Sequence, residues 1–224
     1  QYMEYLIHQL LDQTASNELC SVLLEKCPDS WEDGKKTAGI QASEVKNNFQ
    51  LDKNSSMGKK LAEIITNKLS EEALIKSFCL PRHIHGIMFT RTESGQGYGA
   101  HIDNAYMKSG RSDLSFTIFL NNPSDYRGGE LCIQTMQKNK KFKLEAGQCI
   151  IYPSTSLHSV ETVSKGKRLV CVGWIQSYIR NNEDRNLLFS IDAGARGMLA
   201  KHGRSNELDL VFQAYGNLLR RLGD

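Results

Sequence analysis

Residues 148–179 read QCIIYPSTSLHSVETVSKGKRLVCVGWIQSYI. Three stretches in this run are rich in β-branched and aromatic residues, and they predict strands over 148–152, 157–163 and 168–179. Lys165-Gly166 supplies a turn signal between the last two strands. The gaps are too short for crossover helices, so we expect the strands to pair antiparallel.

The same pattern of short strands and close turns extends back to about residue 78. Further turn signals are GQG at 95–97, NP at 122–123, GG at 128–129 and AG at 146–147. The further candidate strands are 84–92, 100–103, 114–120, 130–135 and 141–144. Such an antiparallel set predicts a double-stranded β-helix, or jelly roll, as the core domain over residues 78–180.

The flanks of this domain have a helical period. Apolar stripes predict an N-terminal helical segment over residues 1–77, packed on the core, with a polar and extended stretch over 31–51. A wide apolar stripe from Leu208 to Leu222 predicts a C-terminal helical extension over 181–224. This stripe is expected to cover the jelly roll, and a homodimer contact is the alternative. The fold class is therefore mainly β with flanking helices.

The composition of the chain limits which binding partners and which cellular location are expected. The 224 residues include 28 basic and 25 acidic ones, a formal charge of +3, which predicts no nucleic-acid partner. No run of 18 apolar residues occurs, so no membrane association is expected. The six cysteines form no C-x-x-C motif, and no secretory signal is visible in the sequence. Both observations predict free thiols and a cytoplasmic location.

The motif His101-Ile102-Asp103 is the main candidate for chemistry. Residues i and i+2 of a strand point to one face, so the imidazole and the carboxylate would converge. His158, on a later predicted strand, would complete two histidines and one carboxylate. This is the facial triad of non-haem iron(II) oxygenases, which leaves three adjacent positions for a bidentate 2-oxo acid and O2. We therefore take these residues as candidate metal ligands and catalytic residues.

Arg168 is the candidate anchor of a co-substrate. It lies ten residues after His158 and opens the apolar run Leu-Val-Cys-Val at 169–172. A guanidinium at the start of a buried strand needs an anionic partner. The distal carboxylate of 2-oxoglutarate would bind it bidentately. The alternatives are an exposed Arg168 or one that pairs with a protein carboxylate.

A set of short segments carries a resemblance to a known family. They are WEDG at 31–34, TAG at 37–39, VKNN at 45–48, HIDNA at 101–105, RSDLS at 111–115, DY at 125–126, GGEL at 128–131, YPS at 152–154, LH at 157–158 and WIQS at 174–177. In this order the chain resembles the PKHD-type hydroxylases, bacterial relatives of the prolyl 4-hydroxylase group of iron(II)/2-oxoglutarate dioxygenases.

The resemblance implies a double-stranded β-helix, the three iron ligands named above, Arg168 as the 2-oxoglutarate anchor, and dependence on ascorbate. One position departs from the pattern. Related prolyl hydroxylases often place a tyrosine nine residues before the first iron histidine, where its hydroxyl reaches the co-substrate. This chain has Thr92 there, and Thr117 on the next strand is the candidate replacement.

Further cavity residues are expected from the same comparison. Trp174, on the strand of Arg168, is expected to form a wall of the 2-oxoglutarate pocket, with a plain core tryptophan as the alternative. Tyr98 and Asn104 are candidate substrate residues, and Tyr98 is otherwise a rim aromatic. The polar run KNN at 46–48 would line the substrate entrance or form a solvated loop.

The predicted function is hydroxylation of an unactivated C–H bond with iron(II), 2-oxoglutarate and O2, releasing succinate and CO2. The substrate is a peptidyl proline or a small molecule, and the residues do not decide between them. Asp103 argues against halogenation, which needs a vacated carboxylate position for the halide. The alternatives are a non-enzymatic sensor of iron and 2-oxoglutarate, or a cupin-like metalloenzyme of another class.

Overall fold

The computed structural model describes residues 4–27, 30–135 and 137–224. The helices are α1 (Gln13–Ser21), α2 (Ile40–Val45), α3 (Ser56–Glu71), α4 (Ala73–Cys79), α5 (Asn182–His202) and α6 (Asn206–Leu222). The strands are β1 (Leu6–Gln9), β2 (Trp31–Asp33), β3 (Lys46–Asn47), β4 (Phe49–Leu51), β5 (Pro81–Glu93), β6 (Gly97–His101), β7 (Tyr106–Met107), β8 (Gly110–Arg111), β9 (Leu114–Phe119), β10 (Tyr126–Gly128), β11 (Leu131–Gln134), β12 (Asn139–Phe142), β13 (Gln148–Pro153), β14 (His158–Val160) and β15 (Val163–Ser177).

Two antiparallel sheets form the centre of the molecule. The larger has the order β1-β13-β9-β15-β5-β4-β2, with β10 also paired to β15, and the smaller has the order β12-β11-β14-β6-β3. Strands β7 and β8 form a separate two-stranded hairpin. The jumps in chain order between neighbouring strands are those of a jelly roll. The predicted fold class, mainly β with flanking helices, is confirmed.

Alternating side chains of the larger sheet serve two cores. On β13, Ile150 joins the cluster shared with the smaller sheet, whereas Ile151 joins the cluster under the helices. On β15, Val170 and Cys171 divide in the same way. This period of two follows from the pleat of a strand. The larger sheet is therefore buried on both faces, and the cavity opens between the sheets.

Helices of the N-terminal segment cover the outer face of the larger sheet. Leu23, just after α1, and Ile65 and Leu69 of α3 are fully buried in the core there. The N-terminal segment also supplies β1, β2, β3 and β4, which extend both sheets. Strands β2, β3 and β4 lie in the stretch 31–51 that was expected to be extended, whereas β1 lies where helix was expected. These strands have two to four residues, too few for a period of two to be visible in the sequence.

The C-terminal extension is a helical pair. Helix α5 buries Leu188 and Phe189, and the Phe189 ring contacts Phe78 of α4 edge-to-face at 5.5 Å between centroids. Helix α6 packs chiefly on α5, and Leu208 is the one buried residue along it. Among the described residues no helix combines the length and apolarity needed to cross a membrane. The six cysteines are free thiols.

Candidate active site

Three side chains that could bind a metal meet at one end of the smaller sheet. His101 ends β6 and lies directly opposite His158, which begins β14. Asp103 lies two residues beyond the end of β6, so it reaches the site from the following loop rather than from the predicted strand. Its Oδ1 is 3.9 Å from His101 Nε2 and 3.8 Å from His158 Nε2. The candidate ligand atoms all lie within 4.8 Å of one another.

Backbone carbonyls orient both imidazole rings. His101 Nδ1 is 2.8 Å from the Gly99 carbonyl oxygen, and His158 Nδ1 is 3.0 Å from that of Ser156. A carbonyl oxygen only accepts, so each Nδ1 carries a proton and each Nε2 is left as the candidate metal-binding atom. Burial, followed by the neighbouring His158 ring, lowers the pKa of His101 to about 4. The His101 imidazole is therefore neutral near pH 7 and ready to bind a metal.

The carboxylate of Asp103 is fixed from the opposite sheet. Its Oδ2 accepts hydrogen bonds from Ser115 Oγ at 2.6 Å and from Trp174 Nε1 at 2.9 Å. The Ser115 hydroxyl also contacts Ser154 Oγ at 2.8 Å. Oδ2 is thus occupied, and Oδ1 is left to face the two histidines. Two imidazole nitrogens and one carboxylate oxygen in this arrangement fit a divalent iron ion.

A backbone irregularity gives Trp174 its position. Gly86 of β5 has φ +66°, and a Cβ there would lie 2.5 Å from Trp174 Cε3. The pairing of β15 with β5 shifts between Val172 and Trp174, which marks a bulge at this point. Only glycine combines this φ with such a close approach. The bulge therefore lets the indole lie over β5 and reach Asp103.

Arg168 is buried in the same cavity, with 3% of its surface exposed. Its guanidinium carbon lies 5.4 Å from the centre of the Phe119 ring, and its Nε has no hydrogen-bond partner. Burial lowers the pKa of Arg168, and the nearby Tyr126 and Tyr152 oppose this shift. No carboxylate among residues 4–27, 30–135 and 137–224 forms an ion pair with it. An anion such as the distal carboxylate of 2-oxoglutarate fits this environment.

One cavity of about 530 Å³ is lined by Lys46 and Asn48 of the polar run at 46–48, but not by Asn47, and by the nine site residues proposed from the sequence. They are Thr92, Tyr98, His101, Asn104, Asp103, Thr117, His158, Arg168 and Trp174. Thr92 lies opposite Arg168 in the pairing of β5 with β15, and Thr92 and Thr117 are both buried. The Tyr98 ring stacks on His101 with 3.6 Å between centroids. Asn104 is exposed at the mouth of the cavity, and its backbone carbonyl oxygen accepts a hydrogen bond from the Ser112 hydroxyl.

Sequence reasoning gave no role to Ser115 or Tyr152, although both lie in segments that carry the resemblance. They pair with each other across β9 and β13, and both line the cavity. The Tyr152 ring contacts the His158 ring edge-on at 5.4 Å between centroids. The alternation of β13, with Ile151 on the other face, was the signal that could have placed Tyr152 inside.

Comparison with known proteins places this geometry in a family. The 2OG-Fe(II) oxygenase superfamily matches residues 87–176. A PKHD-type hydroxylase of Prochlorococcus marinus strain MIT 9313 is 64% identical over 221 residues, which cover 99% of this chain and the whole of that protein. The chain belongs to the PKHD-type hydroxylases. It is an iron(II)- and 2-oxoglutarate-dependent dioxygenase that uses O2.

Solved structures share the jelly-roll fold of this PKHD-type hydroxylase. A Pseudomonas putida prolyl-4-hydroxylase aligns with a TM-score of 0.55 and 15% identity, covering 78% of this chain and 92% of that one. A Trichoplax adhaerens prolyl hydroxylase, in complex with a hypoxia inducible factor peptide, aligns with a TM-score of 0.57 and 17% identity, covering 83% and 86%. At these identities the likeness shows the fold alone. The sensor and cupin-like alternatives gain no support from the comparisons.

Proposed function

We propose that this PKHD-type hydroxylase holds its iron with His101, Asp103 and His158 and hydroxylates an unactivated C–H bond beside them. The observation that carries the proposal is the convergence of the three remaining ligand atoms, His101 Nε2, His158 Nε2 and Asp103 Oδ1. Every other polar atom of these side chains already has a protein partner. A site held in this way needs little rearrangement to bind a metal.

Each neighbouring side chain has a task in this proposal. Iron(II) bound there would let O2 act as the oxidant, with 2-oxoglutarate converted to succinate and CO2 and the substrate C–H bond to C–OH, one oxygen atom entering each product. Ser115 and Trp174 hold the Asp103 carboxylate in one orientation. His101 and His158 are both buried, which limits the access of water to the ligand atoms.

Arg168 is the proposed anchor for the distal carboxylate of 2-oxoglutarate. Its buried position and the lack of an ion pair with a protein carboxylate in the described residues support this role. Thr92 and Thr117 are the candidate hydroxyl donors to the same molecule, because both line the cavity. Thr92 lies opposite Arg168 in the pairing of β5 with β15, and Thr117 lies opposite Val172 in the pairing of β9 with β15.

A prolyl residue of a peptide is the proposed substrate. Two of the solved structures with this fold are prolyl hydroxylases, and one of them contains a bound peptide. Tyr98, stacked on His101, and Asn104, at the mouth, are the proposed contacts with the substrate. A small molecule is the second candidate, since a cavity of about 530 Å³ can enclose one.

Three accessory features belong to the same proposal. Ascorbate would keep the iron in the reduced state, as the resemblance to prolyl hydroxylases implies. The six free thiols favour a reducing, cytoplasmic location. The apolar stripe of α6, where only Leu208 is buried, is the proposed contact of a homodimer.

Turnover of 2-oxoglutarate tests the function. Purified protein with iron(II), ascorbate and a panel of proline-containing peptides is assayed for succinate, and each peptide is examined by mass spectrometry for an added oxygen atom. We expect one peptide to stimulate succinate formation and gain oxygen in equal amounts, and His158→Ala to abolish both. If only small molecules stimulate succinate formation, the substrate is a small molecule, the second candidate. Persistent turnover in His158→Ala would remove that residue from the metal site.

A further inference from the structure

Lys46 is a second buried cation in the active-site cavity. It lies on the edge strand β3, opposite Tyr98 of β6, and only 4% of its surface is exposed. Its Nζ is 5.4 Å from the centre of the Tyr98 ring, and that ring stacks on the proposed iron ligand His101. Arg168, the other buried cation, belongs to the opposite sheet. The cavity therefore presents one buried cation from each sheet.

The protein partners of the Lys46 ammonium are neutral. Nζ is 3.2 Å from Gln50 Oε1 and 3.4 Å from Thr37 Oγ1, and no ion pair joins it to a carboxylate in the described part of the chain. An ammonium has three donors, so one remains available. Burial lowers the pKa of Lys46 to about 8, while Asp103 and Asp33 oppose the shift. A value above 7 leaves the group mainly charged at neutral pH.

The charges around the cavity are unbalanced. The cationic residues that line it are Lys36, Lys46, Lys53, Lys108 and Arg168. Asp103 is its one carboxylate among the described residues, and that group faces the metal site. The whole chain is nearly balanced, with 28 basic and 25 acidic residues. This concentration of positive charge attracts anions into the cavity.

The co-substrate does not account for both buried cations. Under the proposed function, one carboxylate of 2-oxoglutarate binds the metal and the other binds Arg168, so neither is left for Lys46. We infer that Lys46 binds a carboxylate of the substrate, and that the enzyme selects molecules carrying a carboxylate close to the carbon that is hydroxylated. The inference rests on the proposed function and names the substrate class for that site. Tyr98, between Lys46 and His101, would contact the part of the substrate between these two points.

Binding measured by calorimetry tests this inference without turnover. The protein is loaded with Mn(II) in place of iron and saturated with 2-oxoglutarate. It is then titrated with two matched pairs of probes. The first pair is N-acetyl-L-proline and its amide, which differ in a free carboxylate. The second is a blocked Ala-Pro-Asp peptide and its Ala-Pro-Asn counterpart, which place the carboxylate on a side chain. Comparison of the two pairs shows whether the carboxylate that Lys46 recognises belongs to a small carboxylic acid or to an acidic peptide.

The protein variants are Lys46→Met, which removes the charge at similar volume, and Lys46→Arg, which retains it. Lys108→Met is the control, because Lys108 lines the same cavity but is exposed to water. We expect the wild-type protein to bind the anionic member of at least one pair about tenfold more tightly. Lys46→Met should lose this preference, Lys46→Arg should keep most of it, and Lys108→Met should change it less than about threefold.

Each other result contradicts the inference. The inference is overturned if the wild-type protein binds both members of each pair equally, or binds neither member. This test needs only the wild-type protein, so it holds even if no variant folds. A preference that survives in Lys46→Met also overturns it. If Lys46→Met instead weakens 2-oxoglutarate, Lys46 serves the co-substrate rather than the substrate. A wild-type protein that fails to bind 2-oxoglutarate at all would show that the proposed function, on which the inference rests, has failed.

Discussion

Trp174 Nε1 donates a hydrogen bond of 2.9 Å to Oδ2 of Asp103, and so a residue of the larger sheet fixes a proposed metal ligand that follows the smaller one. The second donor to the same oxygen, Ser115, also comes from the larger sheet. Rigid packing between the sheets thereby sets the direction of Asp103 Oδ1. The affinity of the site for metal should depend on these two neighbours as well as on the ligands.

Trp174→Phe should weaken metal binding by about 10-fold to 100-fold, because it removes a hydrogen bond to a ligating carboxylate while preserving most of the ring. The measurement is an anaerobic titration with iron(II) or Mn(II). Trp31→Phe is the matched control, since Trp31 Nε1 is buried without a hydrogen-bond partner. Metal affinity that is the same in both variants would mean that the indole of Trp174 only fills space.

Arg168→Gln should raise the Kd for 2-oxoglutarate by about 100-fold, because a charged, bidentate hydrogen bond contributes roughly 3 kcal/mol. Metal affinity should change little, since Arg168 is not among the proposed ligands. Arg127→Gln, an exposed arginine on the neighbouring strand β10, is the control. Unchanged affinity for 2-oxoglutarate in Arg168→Gln would remove this residue from the co-substrate pocket.

Ile65→Ala should lower the free energy of unfolding by about 2–5 kcal/mol, because Ile65 of α3 is fully buried and the substitution leaves a cavity. Its neighbour Ile64 is 39% exposed, so Ile64→Ala should lower it by less than about 1 kcal/mol. Denaturant unfolding measures both. Similar losses in the two variants would mean that α3 does not pack on the larger sheet as described.

His85 should make the stability of the protein depend on pH. Burial, chiefly, lowers the pKa of His85, whose Nδ1 contacts Ser109 Oγ at 2.8 Å and whose Nε2 contacts the Arg111 carbonyl oxygen at 2.9 Å. The unfolded chain then takes up the proton first as the pH falls. The contribution of His85 to the free energy of unfolding is complete above a pH of about 6.5. It is lost as the pH falls through the pKa that His85 has in the folded protein.

The check is the free energy of unfolding of the wild-type protein and of His85→Gln, measured from about pH 7.5 to about pH 5. The stability advantage of the wild-type protein should shrink on acidification. His202→Gln, at an exposed position, should follow the wild-type curve throughout. An advantage that stays constant or grows at low pH would contradict the direction of the shift.

The main features of the site could be predicted because they reside in local patterns. The pair His101 and Asp103 is visible at a spacing of two, and Arg168 is conspicuous because it opens an apolar run. The jelly roll followed from strand periodicity and turn residues. What the sequence could not locate was the end of β6, so Asp103 was expected on the strand rather than in the loop beyond it.

Long-range relationships were beyond this reasoning. The contacts of Asp103 with Ser115 and Trp174 join residues 12 and 71 positions apart, and no local pattern records them. Lys46 appeared only as part of a polar run, because its burial results from the pairing of a two-residue strand with β6. Short edge strands carry too little periodicity to predict their partners.

The most direct test of the account is an anaerobic titration of the metal-free protein with iron(II) and then with 2-oxoglutarate, followed by visible absorption. A site built from His101, Asp103, His158 and Arg168 should give the weak charge-transfer band of an iron(II) chelate with 2-oxoglutarate. The band should be lost in His158→Ala and should require a higher 2-oxoglutarate concentration in Arg168→Gln. Iron binding without any such band, or a band that persists unchanged in His158→Ala, would contradict the assignment of His101, Asp103 and His158 as the ligands of the reactive metal.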